Sequence, residues 1–313
     1  MSEIEKRKIL VDILGDFNSE GNSQLLFNCP LCEHHKKKLS VNICKNMFKC
    51  WVCDYSGRNI YRIVRRYGTY SNKQNWLNFD QQIEVSEFNE KLFGKVEPEK
   101  EVFLTLPNKF ISLANKVLPS TALRPINYLE SRGLTKEDMI RWKIGYCAEG
   151  KYAGRIIVPS FASCGRVNYY VGRSYDNNWK KYLNPNVSRN IIFNHLYVDF
   201  SEDVVLVEGV FDAIKAGENS IPLLGSTLIE SSFLFQQIVK NDSAVYLALD
   251  SDVEHKTNKI IELLLKYDIE LYKIDCGAYE DVGEMPKSIF KEKKQTAEFL
   301  NTNNYLLSKV MGL

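Results

Sequence analysis

Four carboxylates and four thiols are the side chains whose spacing could do chemistry in this chain. The acids sit in two short apolar runs, Val204-Val205-Leu206-Val207-Glu208-Gly209-Val210-Phe211-Asp212 and Ala244-Val245-Tyr246-Leu247-Ala248-Leu249-Asp250-Ser251-Asp252, with Glu208 and Asp250 42 positions apart. Each run is apolar, the first largely β-branched, and short enough for a buried strand. In an open α/β sheet, ligands gather beyond the carboxyl ends of the strands, so Glu208, Asp250 and Asp252 are expected to converge at one edge. Gly209 is expected to let the backbone turn sharply into a helix carrying Asp212 in its first turn. Carboxylates crowded together repel one another, and a divalent cation that prefers hard oxygen ligands, magnesium or manganese, relieves that repulsion. Strands also end in acids merely to cap the following helix. Either stretch alone reads that way; the two together, on successive strand–helix units, favour the metal.

The thiols form two C-x-x-C pairs, Cys29-Pro30-Leu31-Cys32 and Cys50-Trp51-Val52-Cys53, with seventeen residues between them. Each pair supplies two sulfurs from one tight turn, and the spacer is long enough for a hairpin with strands at Leu39 to Ile43 and Met47 to Lys49. A structural zinc ribbon with four thiolates follows. A redox C-x-x-C would not explain two such pairs. His34, His35 and Cys44 are taken as non-ligands, because tetrahedral zinc is complete with the four thiolates.

These sites need cations nearby, and the charge is segregated. Residues 1–70 hold 12 Lys/Arg against 7 Asp/Glu, residues 141–195 hold 9 against 2, and residues 201–290 hold 7 against 17. A basic segment beside an acidic one suits an enzyme that grips phosphates while acids hold metal. Around the ribbon, Lys36, Lys37, Lys38, Lys45, Lys49 and Arg58 mix with Trp51 and Tyr55, which suits single-stranded nucleic acid. Phe48 reads better as packing in the ribbon core.

The elements that must position these residues follow from periodicity. Residues 3–14 read as a short amphipathic helix. Residues 68 to about 105 are polar, contain an acidic run, and read as a connector. From Pro107 to Trp142 the pattern is helical, with a stop at Ser131-Arg132-Gly133 and a new start capped by Thr135. Strands follow at Arg155–Pro159 and Arg166–Arg173. Residues 256–267 read as an amphipathic helix and Glu270 to Ile274 as a strand, giving repeated βαβ units.

The spacing Glu-Gly-x-x-Asp followed by Asp-x-Asp resembles the TOPRIM domain of primases, topoisomerases and related nucleases. The progression from C-x-x-C through Ser56-Gly57-Arg58 to a helix bearing Ile60, Ile63, Val64 and Tyr67 resembles the N-terminal domain of bacterial and bacteriophage DNA primases. Members of that family place an arginine before a strand ending in proline, a Gly-Arg after the next strand, and a Lys-Tyr-x-Asn-like segment soon after. Carried over, these positions are Arg155, Arg173, Lys181, Tyr182 and Asn184, which the resemblance assigns to nucleotide, primer or template phosphates. Asp281 matches the first acid of a further family cluster, whereas Gly283 occupies the place of the second; whether Glu284 substitutes is open. The resemblance runs from about Cys29 to Asp281.

That resemblance implies an α/β protein: a small N-terminal zinc ribbon plus a mixed α/β primase core containing a TOPRIM-type parallel sheet. It implies a template-binding ribbon over 1–70, a linker over 71–105, and an RNA polymerase core over 106–313. Within that core, 106–200 form a basic subdomain and 201–290 the TOPRIM subdomain. The implied activity is template-directed synthesis of short RNA primers on single-stranded DNA from ribonucleoside triphosphates. One structural zinc would be held by Cys29, Cys32, Cys50 and Cys53. Catalytic magnesium or manganese would be held by Glu208, Asp250 and Asp252, with Asp212 and Asp281 assisting. No phosphate loop of the G-x-x-x-x-G-K-[ST] type is present, so a replicative helicase is expected in trans, and the short tail after residue 290 fits a stand-alone bacteriophage type. The N-terminus lacks a secretory h-region and no run is long enough for a membrane span, so the cytoplasm is the expected location. The rival readings are a TOPRIM nuclease and a non-catalytic zinc/TOPRIM recombination mediator.

Overall fold

A computed structural model describes residues 3–20, 24–79, 102–176, 179–250 and 254–311. Asp252, and the acidic run of the expected connector, lie outside the described residues. The described residues of 1–94, 264–271 and 300–313 form one compact unit, and those of 95–263 and 272–299 form another.

The first unit opens with helix α1 (Glu3–Leu14), followed by a five-stranded antiparallel sheet in sequential order. Its strands are β1 (Asn18–Glu20), β2 (Gln24–Phe27), β3 (Leu39–Asn42), β4 (Met47–Cys50) and β5 (Ser56–Gly57). Alternation in β2 buries Leu25 and Phe27, and register does the rest. Leu25 pairs with Val41 and Val41 with Phe48, which makes one apolar row across three strands. The parallel row Phe27–Leu39–Cys50 sets Cys50 opposite the exit of β2, just before Cys29. Helices α2 (Tyr61–Tyr67) and α3 (Tyr70–Phe79) follow, so a helix occupies the start of the span read as a connector. Trp76 on α3 is fully buried, with the Lys6 ammonium 5.0 Å from its ring.

In the second unit, an antiparallel sheet runs β6 (Phe110–Ser112), β7 (Gly145–Cys147), β8 (Arg155–Phe161), β9 (Val167–Ser174). The helical pattern expected from Pro107 is corrected here. Residues 110–112 pair with β7, and helices begin at α4 (Leu123–Ser131) and α5 (Lys136–Arg141). A three-residue edge strand is too short to show a period of its own. Thr135 caps α5 as expected: its hydroxyl accepts from the Asp138 N–H while the Asp138 carboxylate accepts from the Thr135 N–H.

A second sheet has the order β11-β10-β12-β13-β14. Its elements are β10 (Val204–Val207), α6 (Val210–Ala216), β11 (Ser220–Pro222), α7 (Phe233–Asn241), β12 (Val245–Ala248), α8 (Glu254–Lys266), β13 (Leu271–Lys273), α9 (Lys287–Gln295) and β14 (Glu298–Leu300). Strand β10 is parallel to both neighbours, in register Val204↔Val245 to Val207↔Ala248 with β12. Every residue of β10 and β12 is buried, as a strand covered on both faces requires. A single core joins the two sheets through Ile156, Val158, Val205, Val207, Tyr246 and Ala248. Among the described residues, no helix is long and apolar enough to cross a membrane.

Candidate metal centre and active site

In the ribbon, each C-x-x-C turn closes on a residue in the left-handed region, Glu33 at φ 49° after Cys32 and Asp54 at φ 57° after Cys53. The Glu33 N–H returns to the Cys29 carbonyl at 2.9 Å and the Cys50 N–H to the Tyr55 carbonyl at 2.7 Å. These two turns bring the four Sγ atoms within 4.8 Å of one another, with Cys29–Cys53 at 3.8 Å and Cys32–Cys50 at 3.9 Å. A disulfide would need about 2.05 Å. A tetrahedral zinc with Zn–S bonds of about 2.3 Å separates its sulfurs by about 3.8 Å, so the cluster fits that ion. Burial pushes the Cys29 thiol up to about 12, and Cys53 up as well; a cation among the sulfurs reverses that preference. The three residues set aside as non-ligands have other contacts. Cys44 donates to a Glu3 carboxylate oxygen at 2.7 Å, the His34 Nδ1 accepts from the Lys36 N–H, and the His35 ring stacks on His34 at 4.4 Å.

The acids are set by the parallel strands. Glu208 follows the last residue of β10 and Asp250 lies two beyond the last of β12, so both project from one carboxyl edge. Neighbouring strands lie about 4.8 Å apart, which fixes the scale of that edge. Asp212, in the first turn of α6, accepts from the Gly209 N–H at 2.7 Å and from the backbone of Gly283. Asp281 caps the following turn by accepting from the Glu284 N–H at 2.9 Å, while Glu284 itself is exposed. Burial, reinforced by the charges of Asp281 and Asp250, pushes the Asp212 carboxyl up to about 7. Burial is the larger cause and the neighbouring acids the smaller, so the shift reports a buried carboxyl beside other hard oxygen donors, the donor type that magnesium or manganese takes.

Two glycines act through close approach. Gly209 has φ −125°, an extended conformation open to any residue, so the expected special turn is corrected. What glycine supplies is room, since a Cβ there would lie 3.0 Å from the Asp212 Oδ2. A Cβ on Gly283 would stand 2.7 Å from the Asp212 Oδ1 and 3.1 Å from the Asp281 Oδ1. The residue standing where a second acid was sought therefore lets the backbone reach Asp212, and any side chain would collide with the acids.

Glu208 faces a cation that the sequence reading passed over. The Lys256 Nζ on α8 lies 2.8 Å from both of its carboxylate oxygens. Among the described residues, the four cysteines are the one compact group of three or more potential metal ligands as the side chains stand.

The family-matched basic residues divide by role. Arg155 is buried, and its guanidinium donates to the backbone carbonyls of Lys180 and Lys181, holding that segment against β9. Asn184 does the same from the other side, accepting from the Gly172 N–H at 3.3 Å. Lys181 and Tyr182 remain exposed to solvent. The Arg173 guanidinium lies over the Tyr182 ring at 4.7 Å and donates from Nε to the Tyr128 hydroxyl at 3.0 Å. Although Tyr182 is 43% exposed overall, partial loss of water around its phenol raises it and Arg173 opposes that, while the charges of Asp212 and Arg132 also reach it. Arg132 is a second omission from the sequence reading. It lies over the Phe211 ring at 5.2 Å, and its Nη2 is 3.8 Å from where a Gly283 Cβ would stand. Cations and acids thus meet beside Asp212.

No protein-family model matches the chain. It is similar to the DNA primase of Thermotoga maritima, 26% identical over 207 residues that cover 51% of this chain and 36% of that protein. The DNA primase of Legionella pneumophila is 24% identical over 306 residues, covering 82% of this chain and 52% of that protein. A solved structure of the DnaG primase catalytic domain bound to single-stranded DNA superposes with a TM-score of 0.50 at 18% identity, covering 58% of this chain and 74% of that one. The chain therefore has DNA primases for homologues and shares the fold of their catalytic core. It spans about half the length of the Legionella relative and about a third of the Thermotoga one.

Proposed function

We propose that this chain is a DNA primase, which builds short RNA primers on single-stranded DNA from ribonucleoside triphosphates. One observation carries the reading: Glu208 and Asp250 end neighbouring parallel strands, and the charges of Arg132 and Asp212 act on the same aromatic ring that Arg173 covers. Acids for a divalent ion beside forks for phosphate suit metal-assisted nucleotidyl transfer, and a nuclease using the same pairing is separated by the test below.

In this reading Glu208, Asp250 and Asp252 hold magnesium or manganese, with Asp281 beside them. Bound there, the ion supplies Lewis acidity and alignment for in-line displacement of pyrophosphate. Arg173, flanked by Tyr128 and Tyr182, presents a fixed fork to a nucleotide or primer phosphate, and Arg132 meets the same charge from just beyond α4. Lys181 adds a point charge on the segment that Arg155 and Asn184 hold in place. Asp212 acts as a lock between the strand turn and Gly283 as much as a ligand. The zinc ribbon captures template through Trp51 and its surrounding lysines, a replicative helicase delivers the strand in trans, and the work is done in the cytoplasm.

The test is to incubate the zinc-loaded chain with single-stranded DNA, the four ribonucleoside triphosphates and magnesium. Short, template-dependent RNA is expected, and Asp250→Asn should abolish it while leaving the circular dichroism spectrum unchanged. Scission of the DNA would instead make the chain a nuclease. Binding with neither product would make it a mediator.

A further inference from the structure

Lys256 is the third residue of α8, in the first helical turn, where the helix dipole disfavours a cation. Its side chain is only 16% exposed, and that of Glu208 22%. The ammonium sits 2.8 Å from each Glu208 oxygen, equidistant from the two and so in the plane that bisects the carboxylate. An ion bound by the same two oxygens must take the lone pairs that the ammonium occupies, so ammonium and ion compete for Glu208 and repel each other by charge. A lysine placed against the helix dipole, half-buried, and aimed at the acid that ends β10 has a purpose other than capping.

We propose that Lys256 is the built-in counter-cation of the acid edge, holding Glu208 until a divalent ion takes its place and sets the lysine free. The pair keeps Glu208 pointed along the strand edge in the ion-free protein, at the expense of ion affinity. Lys256 is a positioning residue in this role. The proposal rests on the reading of Glu208 as a metal ligand.

The experiment measures manganese binding to the full, zinc-loaded chain by the loss of the free-ion electron paramagnetic resonance signal. Wild type is compared with Lys256→Gln and Lys256→Arg. Removing the competing charge should tighten manganese binding about five- to tenfold in Lys256→Gln, a shift of the size a partly screened ion pair sets. Lys256→Arg, which keeps a cation, should stay near wild type. In wild type alone, the Nζ resonance of Lys256 should move when magnesium is added; this arm decides the matter if Lys256→Gln fails to fold. Equal manganese affinity in wild type and Lys256→Gln, with an unmoved Nζ resonance, overturns the proposal and leaves the metal reading standing. Absence of manganese binding to wild type at millimolar concentration overturns both.

Discussion

Replacing Asp212 by asparagine should remove a fall in the stability of the second unit with rising pH. Its carboxyl lies near 7 in the folded protein against an ordinary 3.8, because it is 8% exposed and faces Asp281 and Asp250. An acid whose folded value is raised binds more protons in the folded than in the unfolded chain between those two values. Stability therefore falls as pH rises through that window, by up to about 1.4 kcal/mol per pH unit, and the whole interval corresponds to about 4 kcal/mol. Asparagine removes that penalty. It also turns one of two accepting oxygens, those facing Gly209 and Gly283, into a donor, at a cost of about 1–2 kcal/mol. Without added divalent ion, the variant should accordingly be less stable than wild type near pH 4, about equal to it near pH 5 and more stable near pH 8. Amide hydrogen exchange on β10 and β12 reads this in the second unit alone, with zinc left in the ribbon. Magnesium should flatten the wild-type slope, since a bound cation favours the ionised carboxyl. Parallel pH profiles for wild type and Asp212→Asn would refute the crowded, buried acid cluster.

Other substitutions test other parts. Cys50→Ser should release zinc, seen by elemental analysis, and melt the ribbon sheet, because thiolate–zinc bonds supply much of the stability of so small a unit. Arg65 and Glu270 form an ion pair at 3.4 Å with both side chains 1% exposed, so Arg65→Met should destabilise the first unit by about 3–5 kcal/mol in urea titration. Gly283→Ala places a methyl 2.7 Å from Asp212; overpacking of about 1–3 kcal/mol and weaker manganese binding should follow, read by thermal melting and by titration. Arg173→Ala should weaken single-stranded DNA binding and lower the slope of log affinity against log salt by about one phosphate contact.

How far the sequence could be read depends on the range over which each feature is encoded. The thiol pairs are local: two residues between cysteines set a knuckle, and a spacer that pairs Leu39 with Cys50 sets the rest. The acid-terminated strands are local too, since short continuous apolar runs ending at Glu208 and Asp250 are read from their own composition. Arg132 and Lys256 are different. Each stands where a plainer reading was sufficient, one at a helix stop and one at a helix start, and each acts on a residue far along the chain, Gly283 or Glu208. Residue type told that Arg155 could fork onto phosphate oxygens. It could not tell that the fork would be spent on the carbonyls of Lys180 and Lys181.

The same distinction explains the glycine in place of the second acid. A family pattern compares side chains, so Gly283 reads as a loss. In three dimensions its N–H reaches the Asp212 carboxylate, and its missing Cβ is what lets Asp281 stand beside that group. The acid edge is thus fixed largely by main-chain donors at Gly209, Gly283 and Glu284, which do not depend on a bound ion. Glu208 has no such donor among its described contacts, and it is the acid that holds Lys256. An edge with Asp212 and Asp281 locked by the backbone and Glu208 held by lysine can stay ordered without metal, and in the proposed reading it keeps one ligand exchangeable. That division predicts that Glu208→Gln will leave the fold near wild type in thermal melting, whereas Gly283→Ala will not.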